Sequence, residues 1–344
     1  METEEMFHQL RSMLGDVVPD VELQYKAELA VEIDRLKKER NAVILGHNYM
    51  EPVLYYSVTD IKGDSLKLSR KAAETDKDVI VFCGVKFMAE TAKILNPTKT
   101  VLIPANAGCS LAASITAADV RSLKARFPGV PVVSYVNTYA DVKAESDVCC
   151  TSGNARAVVE SLQSDTIIFL PDEYLARNVA RETGKHIIFP SLEKSVSPDE
   201  SKLDIQMIGW KGRCEVHEKF TVEDIRNVRE QFQDVYILAH PECSPEVIEA
   251  SDFSGSTTAM IKAVEATSAP RYLLLTECSM GDNISVANPE KNMLRLCSVR
   301  CPHMNQITME NTLDSLKYNR LVVEVPEEIR VRAVSAVERM LKIG

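Results

Sequence analysis

The chain has 344 residues, 45% apolar and 26% charged, with a net charge of −10. That length exceeds one small core, so two or three domains are expected, and the composition is that of a globular protein. No apolar run reaches the roughly 18 residues of a membrane span, the start METEEMFHQLRSML is not the basic-then-apolar opening of a secretory signal, and no Lys/Arg cluster exceeds Arg35-Leu-Lys-Lys-Glu-Arg40. A cytoplasmic protein with neither a membrane nor a nucleic-acid partner is therefore expected.

Apolar spacing predicts helices over 3–14 and 22–40, then a strand over 42–45 running into Gly46-His47-Asn48-Tyr49. Gly63-Asp64-Ser65 opens the next helix, because Asp and Ser satisfy free N–H groups at a helix start. Strand 79–82, helix 86–95 and strand 100–103 lead to Ala107-Gly108-Cys109. The pattern then restarts with helix 117–127 and strand 130–134, ending at Tyr135-Val136-Asn137. A cap at 150–154, strand 166–170, helix 173–183 and strand 186–189 lead to Gly212-Arg213-Cys214. A third round brings helix 222–233, strand 235–239 and the knot His240-Pro241-Glu242-Cys243. After it come a cap at 254–257, strand 272–275, a helix-like stretch, strand 292–296 and Arg300-Cys301-Pro302.

The spacings agree. His47, Tyr135 and His240 precede Ser65, Ser152 and Ser256 by 18, 17 and 16 residues, and precede Cys109, Cys214 and Cys301 by 62, 79 and 61. One plan used three times implies an α/β protein of three similar three-layer α/β/α domains. Their parallel sheets would stand in pseudo-threefold arrangement around a central site. The expected domains are 1–112, 113–212 with a surface insertion at 191–206, and 213–305, with 306–344 (a helix, a strand-like LVVEV and a last helix) packing back on the first.

Nine cysteines, an odd number, argue for reduced thiols rather than a disulfide framework. Cys109, Cys214 and Cys301 each close one round beside a Gly or Pro turn. Three thiolates meeting on the axis can hold an iron–sulfur cluster with one iron left free as a Lewis acid. Structural zinc, with Cys297 or His303 as a fourth ligand, and plain burial of small apolar thiols remain open at this level. Cys83, Cys149, Cys150, Cys243 and Cys278 read as packing residues, and Cys297 could pair with Cys301 under oxidation. His47, Tyr135 and His240 stand at equivalent strand ends beside Asn48, Asn137 and Glu242, where imidazole moves protons and Glu242 orients or accepts them. Tyr49 and Tyr135 can donate to developing oxyanions. Helix starts at Ser65, Ser152 and Ser256-Thr257 converging on one cavity would hold carboxylate or phosphate without many lysines. A GxG-type fingerprint follows none of the strands, which argues against a nicotinamide or flavin site.

The segments GHNY (46–49), GDSL (63–66), CGVKFMAETAKILNP (83–97), AGC (107–109), YVNT (135–138), TSGNA (151–155), WKGRCEVH (210–217), HPEC (240–243), SGST (254–257), TE (276–277) and CPHM (301–304) together resemble the quinolinate synthase family. The resemblance covers about residues 40–310 and implies an enzyme of de novo NAD biosynthesis, a transferase. It would condense iminoaspartate with dihydroxyacetone phosphate to quinolinate, releasing phosphate and two waters. It implies a [4Fe–4S] cluster on Cys109, Cys214 and Cys301, and substrate contacts at His47, Ser65, Tyr135, Val136, Asn137, Ser152, His240, Pro241, Glu242, Ser256 and Thr257. Tyr49 matches a second tyrosine of the family site, and the proton-moving set is His47, Tyr49, Tyr135, His240 and Glu242. A functional link to an L-aspartate oxidase or dehydrogenase as source of the imine follows from the same resemblance. Three departures stand out: the 191–206 insertion, the stretch CSMGDNISVANP (278–289), less basic than in many members, and the single Cys297 ahead of Cys301. A [4Fe–4S] hydro-lyase acting on a hydroxy acid and an iron–sulfur redox sensor are the rival readings.

Overall fold

The computed structural model describes residues 2–190, 205–294 and 299–344. Cys297 and nearly all of the 191–206 insertion lie outside the described residues. Three sheets carry the architecture, and every strand pairing within them is parallel. The first holds β1 (Ala42–His47), β2 (Ile61–Gly63), β3 (Val79–Cys83) and β4 (Thr100–Leu102) in the order β2-β1-β3-β4. The second holds β5 (Val132–Tyr135), β6 (Val148–Cys150), β7 (Ile167–Leu170), β8 (Ile187–Ile188) and β9 (Met207–Gly209) in the order β6-β5-β7-β9-β8. The third is β10 (Val235–Ala239), β11 (Phe253–Ser254) and β12 (Arg271–Leu275), ordered β11-β10-β12. In each sheet the first strand lies between the second and third, so the expected α/β fold with three like sheets is what forms.

A shared lock fixes the edge strands. Asp60, Asp147 and Asp252 each precede the second strand of their sheet. Their carboxylates accept from the backbone N–H of Ile44, Val132 and Ile237 at 2.8 Å. Their own N–H groups donate back to the carbonyls of the same three residues at 2.9–3.0 Å. A strand of two or three residues has few ladder bonds to hold its register, and this exchange supplies two more.

Helices cover both faces of the sheets. In the third, Ile237, Leu273 and Leu275 join one buried cluster and Leu238, Tyr272 and Leu274 another. Period-2 alternation inside unbroken apolar runs means both faces are buried, as parallel sheets require. One larger core joins the first sheet, the inner face of the second and both terminal helices. Helix Met309–Tyr318 packs on helix Asp20–Glu39, and helix Glu327–Leu341 lies across β6 and helices Ala140–Lys143 and Lys86–Leu95. No helix among the described residues is long and apolar enough to cross a membrane.

One expected strand does not form as such, and another is described only in part. LVVEV contributes one antiparallel bridge, Leu102 to Val322, beyond Leu321, whose left-handed backbone (φ 55°) breaks extension. Of 292–296, the described part makes one parallel bridge, Tyr272 to Met293, and the rest lies outside the described residues. Cys83, Cys149, Cys150 and Cys243 are buried free thiols as expected, and Cys301 is also free. Cys278 is the exception: it is disulfide-bonded rather than a packing thiol.

Candidate active site

Parallel sheets expose their functional residues at the carboxyl ends of the strands, and this chain uses that end three times. His47 and Tyr135 are the last residues of β1 and β5, and His240 follows β10 directly. Ser65, Ser152 and Ser256 each lie two residues past the neighbouring second strand. One cavity gathers His47, Tyr49, Ser65, Tyr135, Asn137, Ser152, His240, Glu242 and Thr257 with Cys109, Cys214 and Cys301. Three expected contacts stand outside that lining. Val136 is buried and donates its N–H to the Cys150 carbonyl at 2.7 Å. Pro241 and Ser256 face an outer cleft. Ser256 caps helix Thr257–Ala266, bonds Asp64 at 3.1 Å and so backs the cavity wall. Ser65 is the first residue of its helix and Asp64 the cap. Ser152 sits ahead of the Asn154 cap of helix Ala155–Ser161.

Glu242 is the hub. One oxygen accepts from the Tyr135 hydroxyl at 2.6 Å and the Asn137 amide at 3.3 Å. The other lies 2.7 Å from Nδ1 of His217. His217 stacks on His240 with ring centres 4.5 Å apart, and its Nε2 meets the Thr276 hydroxyl at 2.9 Å. Tyr49 shares that hydroxyl at 2.5 Å and packs edge-on against His47. His217 was not singled out among the site residues, although the interval Cys214-x-x-His217 inside WKGRCEVH places both on one short turn. Thr276 and Glu277, noted only within a motif, also belong here.

Electrostatics follow from burial. It pulls the His47 imidazole down to about 4 and the His240 imidazole to about 3, so both are neutral near pH 7. It pushes the Tyr49 and Tyr135 phenols well above their usual range, so both remain donors. Burial also opposes charge on Glu242, but the flanking His217 and His240 and the bonds from His217 and Tyr135 prevail and hold its carboxyl well below the usual range. Near pH 7 the centre therefore sets the Glu242 carboxylate beside neutral His47 and His240 and two un-ionised phenols. Among the described residues no Lys or Arg lines the cavity, whereas Asp64, Glu215, Glu242 and Glu277 do.

The cysteines share a local geometry that spacing alone does not reveal. The carbonyl of each accepts from the backbone N–H four residues on, Ala113, Glu218 and Asn305, at 3.0 Å in every case, and the Cys301 sulfur accepts from the Met304 N–H at 3.5 Å. Burial pushes the Cys109 thiol up to about 12 and raises the other two, so metal binding must displace protons. Three soft donors on three like turns, all lining one cavity, fit an iron–sulfur cluster. Ligand atoms of Cys214, His217 and Glu242 also lie within 4.8 Å of one another, but the last two are already bonded to each other.

Fold and cavity together define a class: a three-sheet α/β protein whose chamber is walled by strand-end imidazoles, phenols and hydroxyls and floored by three equivalent cysteine turns. Residues 31–342 match the model of the quinolinate synthetase A protein family (NadA), and the chain belongs to that family. It is 56% identical over 309 residues to quinolinate synthase 2 of Mesorhizobium japonicum, covering 90% of this chain and 89% of that one. It is 52% identical over 335 residues to the quinolinate synthase of Agrobacterium fabrum (97% and 91% covered), and 50% identical over 331 residues to that of Xylella fastidiosa (96% and 91%).

Proposed function

We propose that the protein is a quinolinate synthase of de novo NAD biosynthesis, a transferase of the cytoplasm. It condenses iminoaspartate with dihydroxyacetone phosphate, and quinolinate, phosphate and two waters balance the atoms. The observation that carries this reading is the union, in one cavity, of three cysteines on like turns with the imidazole, phenol and carboxylate set. Cys109, Cys214 and Cys301 would hold a [4Fe–4S] cluster, whose open iron supplies Lewis acidity toward substrate oxygen and nitrogen.

The chain's own residues take the remaining roles. Ser65 and Thr257 begin helices of ten residues each, so their N–H groups and hydroxyls suit carboxylates and the phosphate. Asn137 and Ser152 orient the same groups from the second sheet. Tyr135, fixed on Glu242 at 2.6 Å, donates to developing oxyanions. Neutral His240 and His47 accept protons lost from carbon during enolisation and dehydration. Glu242, strongly ionised, orients Tyr135 and His217 and stabilises the imidazolium when it forms. Val136 and Pro241 would act through their backbones, and Ser256 through its helix.

The domain division 1–112, 113–212 and 213–305 belongs to the same reading. Residues 306–344 are assigned to the first, whose helix Asp20–Glu39 meets helix Met309–Tyr318. Partners are small molecules, neither nucleic acid nor membrane, with the imine drawn from an L-aspartate oxidase or dehydrogenase. The test is anaerobic reconstitution followed by parallel assays of quinolinate and phosphate. Equimolar appearance of both supports the reading. A product formed without phosphate would favour a hydro-lyase, and a redox-active cluster with no turnover would favour a sensor.

A further inference from the structure

The loops that carry the site residues are held by three buried side chains outside the catalytic set. Asn283, in helix Cys278–Ala287, donates its amide to the carbonyls of Asn48 at 3.2 Å and Met50 at 2.8 Å. Asn178, in helix Glu173–Thr183, donates to Pro241 at 2.9 Å and Cys243 at 3.0 Å. The Lys143 ammonium donates to the carbonyls of Val136, at 2.8 Å, and Thr138. In every case the two carbonyls stand one and three residues beyond His47, Tyr135 or His240. All three donors are buried, with 0–3% of their surface exposed.

The amide orientation is not arbitrary. Carbonyls only accept, so both asparagines must turn their NH2 ends to the loops. The Oδ1 atoms of Asn178 and Asn283 then lie buried without a partner among the described residues. An unpaired buried oxygen is a cost a packing residue would not carry, which marks these asparagines as present for their donors. The two also occupy the same helical position, six residues past the caps Asp172 and Glu277. Each helix follows the third strand of one sheet and grips the first-strand loop of the next: second on third, third on first. The circle closes from first to second, where Glu90 of helix Lys86–Leu95 accepts at 2.9 Å from the N–H of Ala140, the first residue of the helix that carries Lys143.

We propose that Asn178, Asn283 and Lys143 are positioning residues that form a closed ring of clamps, each fixing one strand-end loop so that His47, Tyr135 and His240–Glu242 converge on one point. For its kinetic consequence this rests on the quinolinate synthase reading; for its structural consequence it does not. Asn283→Leu, Asn178→Leu and Lys143→Met each remove the donors at similar volume. The measurements are amide hydrogen exchange at 47–50, 136–138 and 241–243, and kcat and KM normalised to bound iron. Each substitution is expected to raise exchange at its own loop at least tenfold, leaving the other two within twofold. It should lower kcat tenfold or more with KM within about threefold. Exchange that rises equally at all three loops, or kcat unchanged once scaled to bound iron, overturns the clamp and leaves plain structural support. Should a Leu variant not fold, Asn→Ser, which admits a water, carries the same comparison. If the unaltered holoenzyme makes no quinolinate, the functional reading fails, and the loop-specific exchange pattern still decides the clamp.

Discussion

Replacing Glu242 by Gln is the sharpest probe of the hub. The side chain is 3% exposed, and its contacts to Tyr135, Asn137 and His217 survive in shape. The amide oxygen keeps the Tyr135 and Asn137 bonds. The amide NH2 then faces His217 Nδ1, which must become an acceptor, leaving Nε2 to donate to Thr276. What disappears is charge. A hydrogen bond to an ionised group is worth about 1.5–3 kcal/mol against about 1 for a neutral pair. The two short contacts therefore lose roughly 1–4 kcal/mol together, or about 5- to 900-fold in rate if felt in the transition state. Folding stability should change little, because removing a buried charge also removes its desolvation cost. The assay is kcat for quinolinate under anaerobic conditions, beside iron content and thermal unfolding. Near-normal turnover, within threefold of the parent, would remove Glu242 from the proton path.

Cys214→Ser should abolish cluster binding and turnover together; full iron content with retained activity would contradict the ligand set. Gly46→Ala would bring a methyl within 2.6 Å of Thr59 Cγ2 and 2.9 Å of its hydroxyl, and denaturant unfolding should register a loss of about 1–3 kcal/mol. Acid should destabilise the metal-free protein through His47. Its folded value of about 4 lies below the ordinary imidazole value of 6.5, so the unfolded chain binds more protons between those limits. Stability from this group is complete above pH 6.5 and is lost as pH falls toward 4, by roughly 3 kcal/mol in all. Urea titrations at stepped pH should show a smaller acid loss in His47→Gln, and an equal loss would exclude His47 as a source.

Periodicity carried much of the fold. Helices Lys86–Leu95 and Glu173–Thr183 and strand Val235–Ala239 lie where apolar spacing and flanking polar residues put them, because these elements are amphipathic or wholly buried and bounded by clear stops. The equal intervals from His47, Tyr135 and His240 to the serines were legible for the same reason: like sheets space like residues. Other features were not local in sequence. Asn283 reaches Asn48 across 235 residues, and Thr276 meets Tyr49 across 227, distances at which only the packed fold brings partners together. His217 hid because a histidine three residues beyond a cysteine has many ordinary uses, and only the 2.7 Å contact with Glu242 gives it meaning. LVVEV reads as a strand by composition, yet among the described residues it makes a single β-bridge, to Leu102.

The three cysteine turns belong to stretches 105 and 87 residues apart along the chain. A cluster held as proposed by sulfurs so divided would have its last ligand only after nearly the whole chain had left the ribosome, so loading would fall after synthesis rather than during it.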